Sequence, residues 1–384
     1  MDFTASETTE DVRGLTRDIA EKVSTDERVA KLEANDASID DVLWRELGAA
    51  GLLGLELDPD SVGDAGAGAS ILETLAVTEQ LGRRLARVPY GPHAVAAAPV
   101  IAAYGSPTLN EHLLGSAATG AAVLTVAFEE DLGTDPGTPQ TRLTRTETGW
   151  SLSGSKVNVA YAEAAAAIVV NAMSPAGVRA VVVDADAPGI TRIGTPATGN
   201  TPTSAIDFDG VVVGDDRILH GGADTVTEIT DRLTLAVCAD QSGTVSRALE
   251  LTAGYATERE QFGRAIGSFQ AVAQRLADGY IDAQGLSLTT TAAAWLFTRA
   301  ADDTPESGSG GNDLRVAVQT AKFWACDAGH RIAHSAVHVH GGVGLDTTHP
   351  LHRYFLRAKQ NEFTLGSAPV MLAAIGAALA AVPA

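Results

Sequence analysis

The chain has 384 residues, 45 % hydrophobic and 20 % charged, enough apolar side chains for a sizeable core and too many for global disorder. Its 27 basic residues face 48 acidic ones, a formal charge of −21 that repels a phosphate backbone and excludes nucleic acid as the expected partner. A polyanionic ligand, a nucleotide or coenzyme A, then needs a few local arginines against an adverse overall field.

The start, MDFTASETTEDVR, lacks the basic-then-apolar order of a secretion signal, so a cytoplasmic chain is expected. Residues 1–120 read as a helical domain. "VLWRELGAAGLLGLEL" and "ILETLAVTEQLGRRLARV" place apolar residues three and four apart, with Gly63 and Gly66 punctuating the loop between. "APVIAAYG" and "TLNEHLLGSAA" predict shorter helices. Residues 121–219 change texture, to short β-rich runs parted by Gly, Pro and Asp, and predict a small antiparallel sheet or barrel. In "GWSLSGSKVNV" the alternation of Trp150, Leu152, Val157 and Val159 predicts a half-buried hairpin strand.

Over 220–384 the helical period returns as a four-helix bundle. One helix is expected from Thr230 to a turn at Phe262–Gly263, and a second from near Ser268, whose hydroxyl is placed to cap it, to about Arg299. "DDTPESGSGGND", 302–313, reads as a solvated loop, followed by helices around "DLRVAVQTAKFWACDAGHRIAHSAV" and "LRAKQNEFTLGSAPVMLAAIGAAL". The Ala-rich tail falls short of the about 20 apolar residues of a membrane span. Cys238 and Cys326 lie in apolar helical patterns and read as buried free thiols. The expected class is α+β: helical N-terminal domain, β-barrel middle domain, C-terminal four-helix bundle.

Two stretches carry chemistry. In "REQFGRAIGSFQ", 259–270, Tyr255 and Arg259 lie one helical turn apart just before the break. The guanidinium fork of Arg259 suits a pyrophosphate, while Gln261 and Phe262 offer an amide and a ring edge to a flat heterocycle. The plainer reading is a helical-hairpin corner with a capping arginine. In "HVHGGVGLDTTHPLHRYFLRAK", 338–359, Gly341, Gly342 and Gly344 allow close backbone approach. His338, His340, His349 and His352 show no i, i+4 pair with an acidic partner, so a hydrogen-bonding turn is expected rather than a metal site. A Rossmann glycine run, a P-loop and a nucleophile elbow are absent.

Together these stretches resemble the acyl-CoA dehydrogenases, and the resemblance covers nearly the whole chain. It implies a flavoenzyme that oxidises the Cα–Cβ bond of an acyl-CoA, with a glutamate removing the α-proton, FAD taking the hydride and a separate acceptor taking the electrons. It also implies an FAD that spans a subunit interface. Arg259, Gln261 and Phe262 would contact the pyrophosphate and adenosine portion, with Phe269 and Gln270 following on the next helix. Gly341 and Gly342 would line the adenosine end, and His338 stands where the family usually has glutamine.

The other half departs from the family. "VAFEEDLGTDPGTPQ" lacks the Gly-Ser-Asp of the flavin loop, and Asn158 and Ala160 replace the tryptophan and threonine that pack on the ring. The two positions where members carry the base hold Leu365 and Leu233. Asp231 is turned roughly 200° from the Leu233 face, and Glu362 lies three residues before Leu365. The pattern resembles the heteromeric α2β2 acyl-CoA dehydrogenases of actinobacteria that act on steroid side-chain CoA esters. The expectation is a subunit that completes its partner's FAD site. The alternatives are an active homotetramer with a displaced base and a flavin-free CoA-ester-binding protein.

Overall fold

The computed structural model describes residues 3–147, 149–302 and 310–380. The chain opens with helices α1 (Glu7–Val23), α2 (Asp26–Ala34), α3 (Asp41–Ala49), α4 (Pro59–Val62), α5 (Ile71–Arg83), α6 (Ala98–Tyr104) and α7 (Pro107–Ala118). Ser6, Thr25, Asp40, Ser70 and Ser106 cap five of them, each accepting from a backbone N–H two or three residues on. Ser70 and Glu73 form a reciprocal capping box. The helix expected over 42–57 stops at Ala49, because Leu52 N donates to Leu47 O (3.0 Å), closing the helix and turning Leu52 and Leu53 into the core.

The middle of the chain forms β1 (Leu124–Ala127), β2 (Arg142–Thr146), β3 (Gly149–Ala160), β4 (Ala167–Ser174), β5 (Gly177–Asp184), β6 (Ile190–Thr195) and β7 (Thr203–Val213). They pair in the order β1-β4-β2-β3-β7-β6, with β5 on β4. The sheet is curled rather than closed, and it is not purely antiparallel: β1 and β2 run parallel to β4. The β2–β3 hairpin forms as its alternation predicts, but register shifts at Leu152/Gly154 and Lys156/Val159 change the phase. These bulges turn Lys156 inward with Leu152 and Val159, in place of Val157.

Beyond the sheet run α8 (Ala223–Glu258), a hairpin of β8 (Glu260–Gln261) and β9 (Arg264–Ala265), α9 (Gln270–Asp302), α10 (Gly310–His340), α11 (Leu351–Phe363) and α12 (Ala368–Ala380). α8 begins seven residues before the expected Thr230. Ser268 does not cap α9: its hydroxyl donates back to Ala265 O (2.6 Å) and the helix starts at Gln270. Of the loop expected over 302–313, Asp302 and Gly310 onward are helical, and 303–309 lie outside the described residues. The last predicted helix is two, broken where Leu365 (φ 57°) and Gly366 (φ 109°) leave helical space. The stretch Leu351–Ala380 holds a window apolar enough to cross a membrane by composition, yet the break leaves two 13-residue helices, each below the about 20 residues a span requires.

One apolar cluster joins α3 and α5 to α8, α9 and α10 through Leu47, Val77, Leu235, Leu286 and Ala325. A second ties α6 and α7 to the sheet through Ile101, Leu114, Leu124 and Val169. Cys238 and Cys326 are free and buried.

Candidate functional site

The turn after α8 is a two-residue hairpin loop. Gln261 pairs with Arg264 across it, and both central residues have positive φ, Phe262 at 53° and Gly263 at 77°. This is type I′ geometry, which favours Asn-Gly. Phe262 therefore occupies a left-handed position that costs an ordinary side chain about 1–2 kcal/mol, and its ring is 93 % exposed. Arg259 is exposed at the C-cap of α8, with its N–H donating to Tyr255 O (2.8 Å). Among the described residues no side chain or carbonyl bonds its guanidinium. One turn back, Tyr255 stacks on His340 (centroids 4.3 Å, planes 19° apart), joining this hairpin to the glycine turn that ends α10. His340 is buried and donates Nδ1–H to Ala336 O (2.9 Å), while His338 is exposed. A Cβ placed on Gly342 would meet nothing within 4 Å, so nothing inside the described chain requires glycine there. Among the described residues no group of His, Cys, Asp and Glu is placed to hold a metal.

A second region lies where the N-terminal helices, the sheet and α8 meet α11. It holds a half-open cavity of about 140 Å³, lined by Glu129, Asn158, Ala160, Tyr161, Leu233, Asp240, Arg357 and Leu365 among others. One wall is an ion pair. Arg357 Nε and Nη2 donate to Asp240 Oδ2 and Oδ1 (2.8 and 2.9 Å), and Nη1 donates to Thr201 Oγ1. Asn361 Nδ2 adds a bond to Asp240 Oδ2 (2.6 Å), and Gly199 N donates to Gln360 Oε1 (2.9 Å). Asn158, one of the two expected ring-packing positions, and Tyr161, next to the other, sit at φ 54° and 58°. Tyr161, buried and left-handed, is an outlier for a bulky residue.

Three carboxylates lie in the region of Leu365, and two of them line spaces that it borders. Glu129, which the sequence reading passed over, lines the cavity, accepts from Asn158 Nδ2 (3.2 Å) and takes a bond from the Leu365 N–H. Burial pushes its carboxyl above the usual range against those bonds and the charge of Lys322. Asp231 lines an adjoining cleft of about 520 Å³, which also borders Glu129 and Leu365. Burial pushes Asp231 up to about 7, with Arg315 opposing and Glu228 assisting. Glu362 lines neither space: it is held outward by Lys359 Nζ (2.5 Å) and His330 Nδ1 (3.2 Å).

The acyl-CoA dehydrogenase N-terminal domain profile matches residues 6–121, and the C-terminal domain profile matches 220–380. The chain belongs to the acyl-CoA dehydrogenase family. It is 43 % identical to acyl-CoA dehydrogenase FadE27 of Mycobacterium tuberculosis (strain ATCC 25618 / H37Rv), covering all of both chains. A chain in the crystal structure of the ChsE4-ChsE5 complex from Mycobacterium tuberculosis superposes with a TM-score of 0.91 at 42 % identity, with full coverage of both. A chain of a variant of the Tcur3481-Tcur3483 steroid ACAD gives 0.88 at 36 %, covering 97 % of this chain and 98 % of that one.

Membership of this oxidoreductase family implies FAD, and the two regions fit it differently. The exposed hairpin and the neighbouring glycine turn offer an unpaired arginine, an exposed ring and an open glycine surface, the groups that a nucleotide's phosphates and adenosine need. The cavity does not fit the flavin ring. At about 140 Å³ it falls below the about 300–1,000 Å³ of small-molecule and cofactor sites. Its wall is a bonded ion pair, and side chains too short to stack occupy 158 and 160.

Proposed function

We propose that this chain is the FAD-completing, non-catalytic subunit of a heteromeric acyl-CoA dehydrogenase, assembled with a second subunit that carries the base. One observation carries the reading: the hairpin that would reach a neighbour's FAD is exposed and unpaired, while the chain's own cavity is walled by Asp240–Arg357 and presents Leu233 and Leu365 at the positions of the base. Arg259, Gln261, Phe262, Phe269, Gln270, His338, Gly341 and Gly342 are the proposed cofactor contacts. FAD bound between the subunits supplies the hydride acceptor for α,β-dehydrogenation. This chain's residues bind and orient its pyrophosphate and adenosine, and exclude water from that end. The likeness to chains of a two-name complex and of a steroid ACAD supports an α2β2 heterotetramer acting on a sterol side-chain CoA ester, with electrons passing to an external acceptor. Division at 1–120, 121–219 and 220–384 and a cytoplasmic location belong to the same proposal.

The test is flavin content of the purified chain, alone and co-expressed with a glutamate-bearing homologue. Yellow protein only with the partner is the expected result, and a flavin-loaded, active homomer overturns it. One observation favours that second reading: Asp231, pushed up to about 7, borders the cleft beside Leu365 and has the poise of a general base. Against it, Asp231 lines the adjoining cleft and not the cavity.

A further inference from the structure

The family resemblance gives Arg264 no role, yet its guanidinium is seated on an aromatic ring. Its guanidinium carbon lies 4.1 Å from the centroid of the Phe269 ring. The same ring meets Phe262 edge to face, with centroids 6.2 Å apart and planes at 87°. The register sets Arg264 directly opposite Gln261, so the two side chains share a face of the hairpin. A ladder of two residue pairs does not support itself in water, and an aromatic residue in the left-handed region works against the turn. Phe269 is fixed by its backbone, since its carbonyl accepts from Val272 and Ala273 N–H (both 3.0 Å) at the start of α9. The turn through Phe262 and the second arm through Arg264 therefore rest on one anchored ring. Among the described residues no carboxylate pairs with Arg264, so the ring contact is what fixes its direction.

We infer that Arg264 is a positioning residue for the cofactor half-site. By stacking on Phe269 it holds the Phe262–Gly263 turn, and with it Gln261 and Arg259, in place before a nucleotide or partner subunit arrives. The inference rests on reading this hairpin as a flavin-nucleotide contact.

Hydrogen exchange on the full chain alone, without flavin or partner, tests the first half. Arg264→Gln should speed exchange across 259–269 and leave the thermal midpoint of the lone chain unchanged. In the co-expressed complex the same substitution should raise the Kd for FAD about two- to fivefold, the range of an exposed cation–ring contact. Arg264→Lys, which keeps a cation over the ring, should recover most of that loss. In a Phe269→Leu background Arg264→Gln should have little further effect. Unchanged exchange across 259–269, or a lowered thermal midpoint in the lone chain, overturns the positioning role. Faster exchange with unchanged FAD affinity overturns its connection to the cofactor. An Arg259→Ala complex that keeps its full flavin content would instead sink the underlying functional reading.

Discussion

The guanidinium of Arg259 finds no carboxylate among the described residues, in a chain that carries 48 of them. At the C-cap of α8 it gains from the helix dipole, but that gain does not use its fork. Charge-assisted hydrogen bonds to a pyrophosphate are worth about 1.5–3 kcal/mol each. Arg259→Ala should therefore lower flavin occupancy of the assembled enzyme without unfolding the chain. Arg259→Lys should be intermediate, as measured by the flavin-to-protein absorbance ratio. The carboxylates near Leu365 give a second prediction. A true α-proton base contributes about 10²–10⁴-fold. Asp231→Asn, Glu129→Gln and Glu362→Gln should instead leave turnover of the complex within about tenfold. A collapse of activity in any one, with flavin retained, would place the base on this chain. Asp231 also has a stability signature. Its carboxyl is raised from 3.8 to about 7, so its contribution is full below the lower value and is lost as pH rises through the upper one. The thermal midpoint of Asp231→Asn should therefore gain on wild type between pH 5 and pH 8.

At the scale of elements, the strand bulges decide what the sheet buries. Lys156 enters the interior fully buried, and its Nζ donates to Glu130 Oε1 (2.7 Å) and Asn171 Oδ1 (2.6 Å). Glu130 also accepts from Gln140 N (2.6 Å) and Thr141 N (3.0 Å), so it ties the loop after β1 to the start of β2. Burial pushes the Glu130 carboxyl up, but Lys156 and these N–H donors outweigh it and pull it from 4.5 to about 2. The stability it contributes is therefore present above 4.5 and is lost as pH falls through about 2. Lys156→Met leaves that carboxylate buried without its cation and should cost about 3–5 kcal/mol in urea unfolding. Pairing it with Glu130→Gln should recover much of the loss, and an additive double mutant would show that the two residues do not form a working pair. A similar buried cation sets the far end of α11, where Lys322 Nζ donates to Asn361 O (2.8 Å) just before the break that places Leu365.

Across the whole molecule, the last helix has no described partner for much of its apolar surface: Val370, Leu372 and Leu379 are all more than half exposed. Obligate interfaces of this kind bury about 2,000 Å² or more. On the proposed reading, a subunit whose own cavity does not fit the flavin ring gains nothing from FAD as a homodimer. A heterodimer that closes over FAD gains RT ln(1 + [L]/Kd). Size-exclusion chromatography with light scattering should accordingly find the lone chain prone to associate non-specifically and the co-expressed pair in one heteromeric peak. A monodisperse, flavin-loaded homotetramer from this chain alone would contradict both the assembly and the proposed role.

Features that are local or periodic were legible in the chain alone. The succession of helices, strands and helices follows from apolar spacing, and the turn at Phe262–Gly263 is legible because the residues that form it are near neighbours in the chain. The leucines at the two positions that the resemblance assigns to the base were equally plain, since a hydrocarbon side chain cannot take a proton wherever it sits. Long-range packing settled the rest. Asp240–Arg357 and Glu129–Leu365 join residues more than a hundred positions apart, and no periodicity encodes such a meeting. The bulges that bury Lys156 reverse the phase of a strand by inserting a residue, which an alternating pattern cannot announce. The break at Leu365–Gly366 was hidden within a continuous apolar run, because backbone conformation there is set by the packing of α11 and α12 against α10 rather than by composition. The small cavity is accordingly a property of the folded chain. Its cause is the close packing of an interior in which residues distant in the chain meet and line one small space with an ion pair and a left-handed tyrosine.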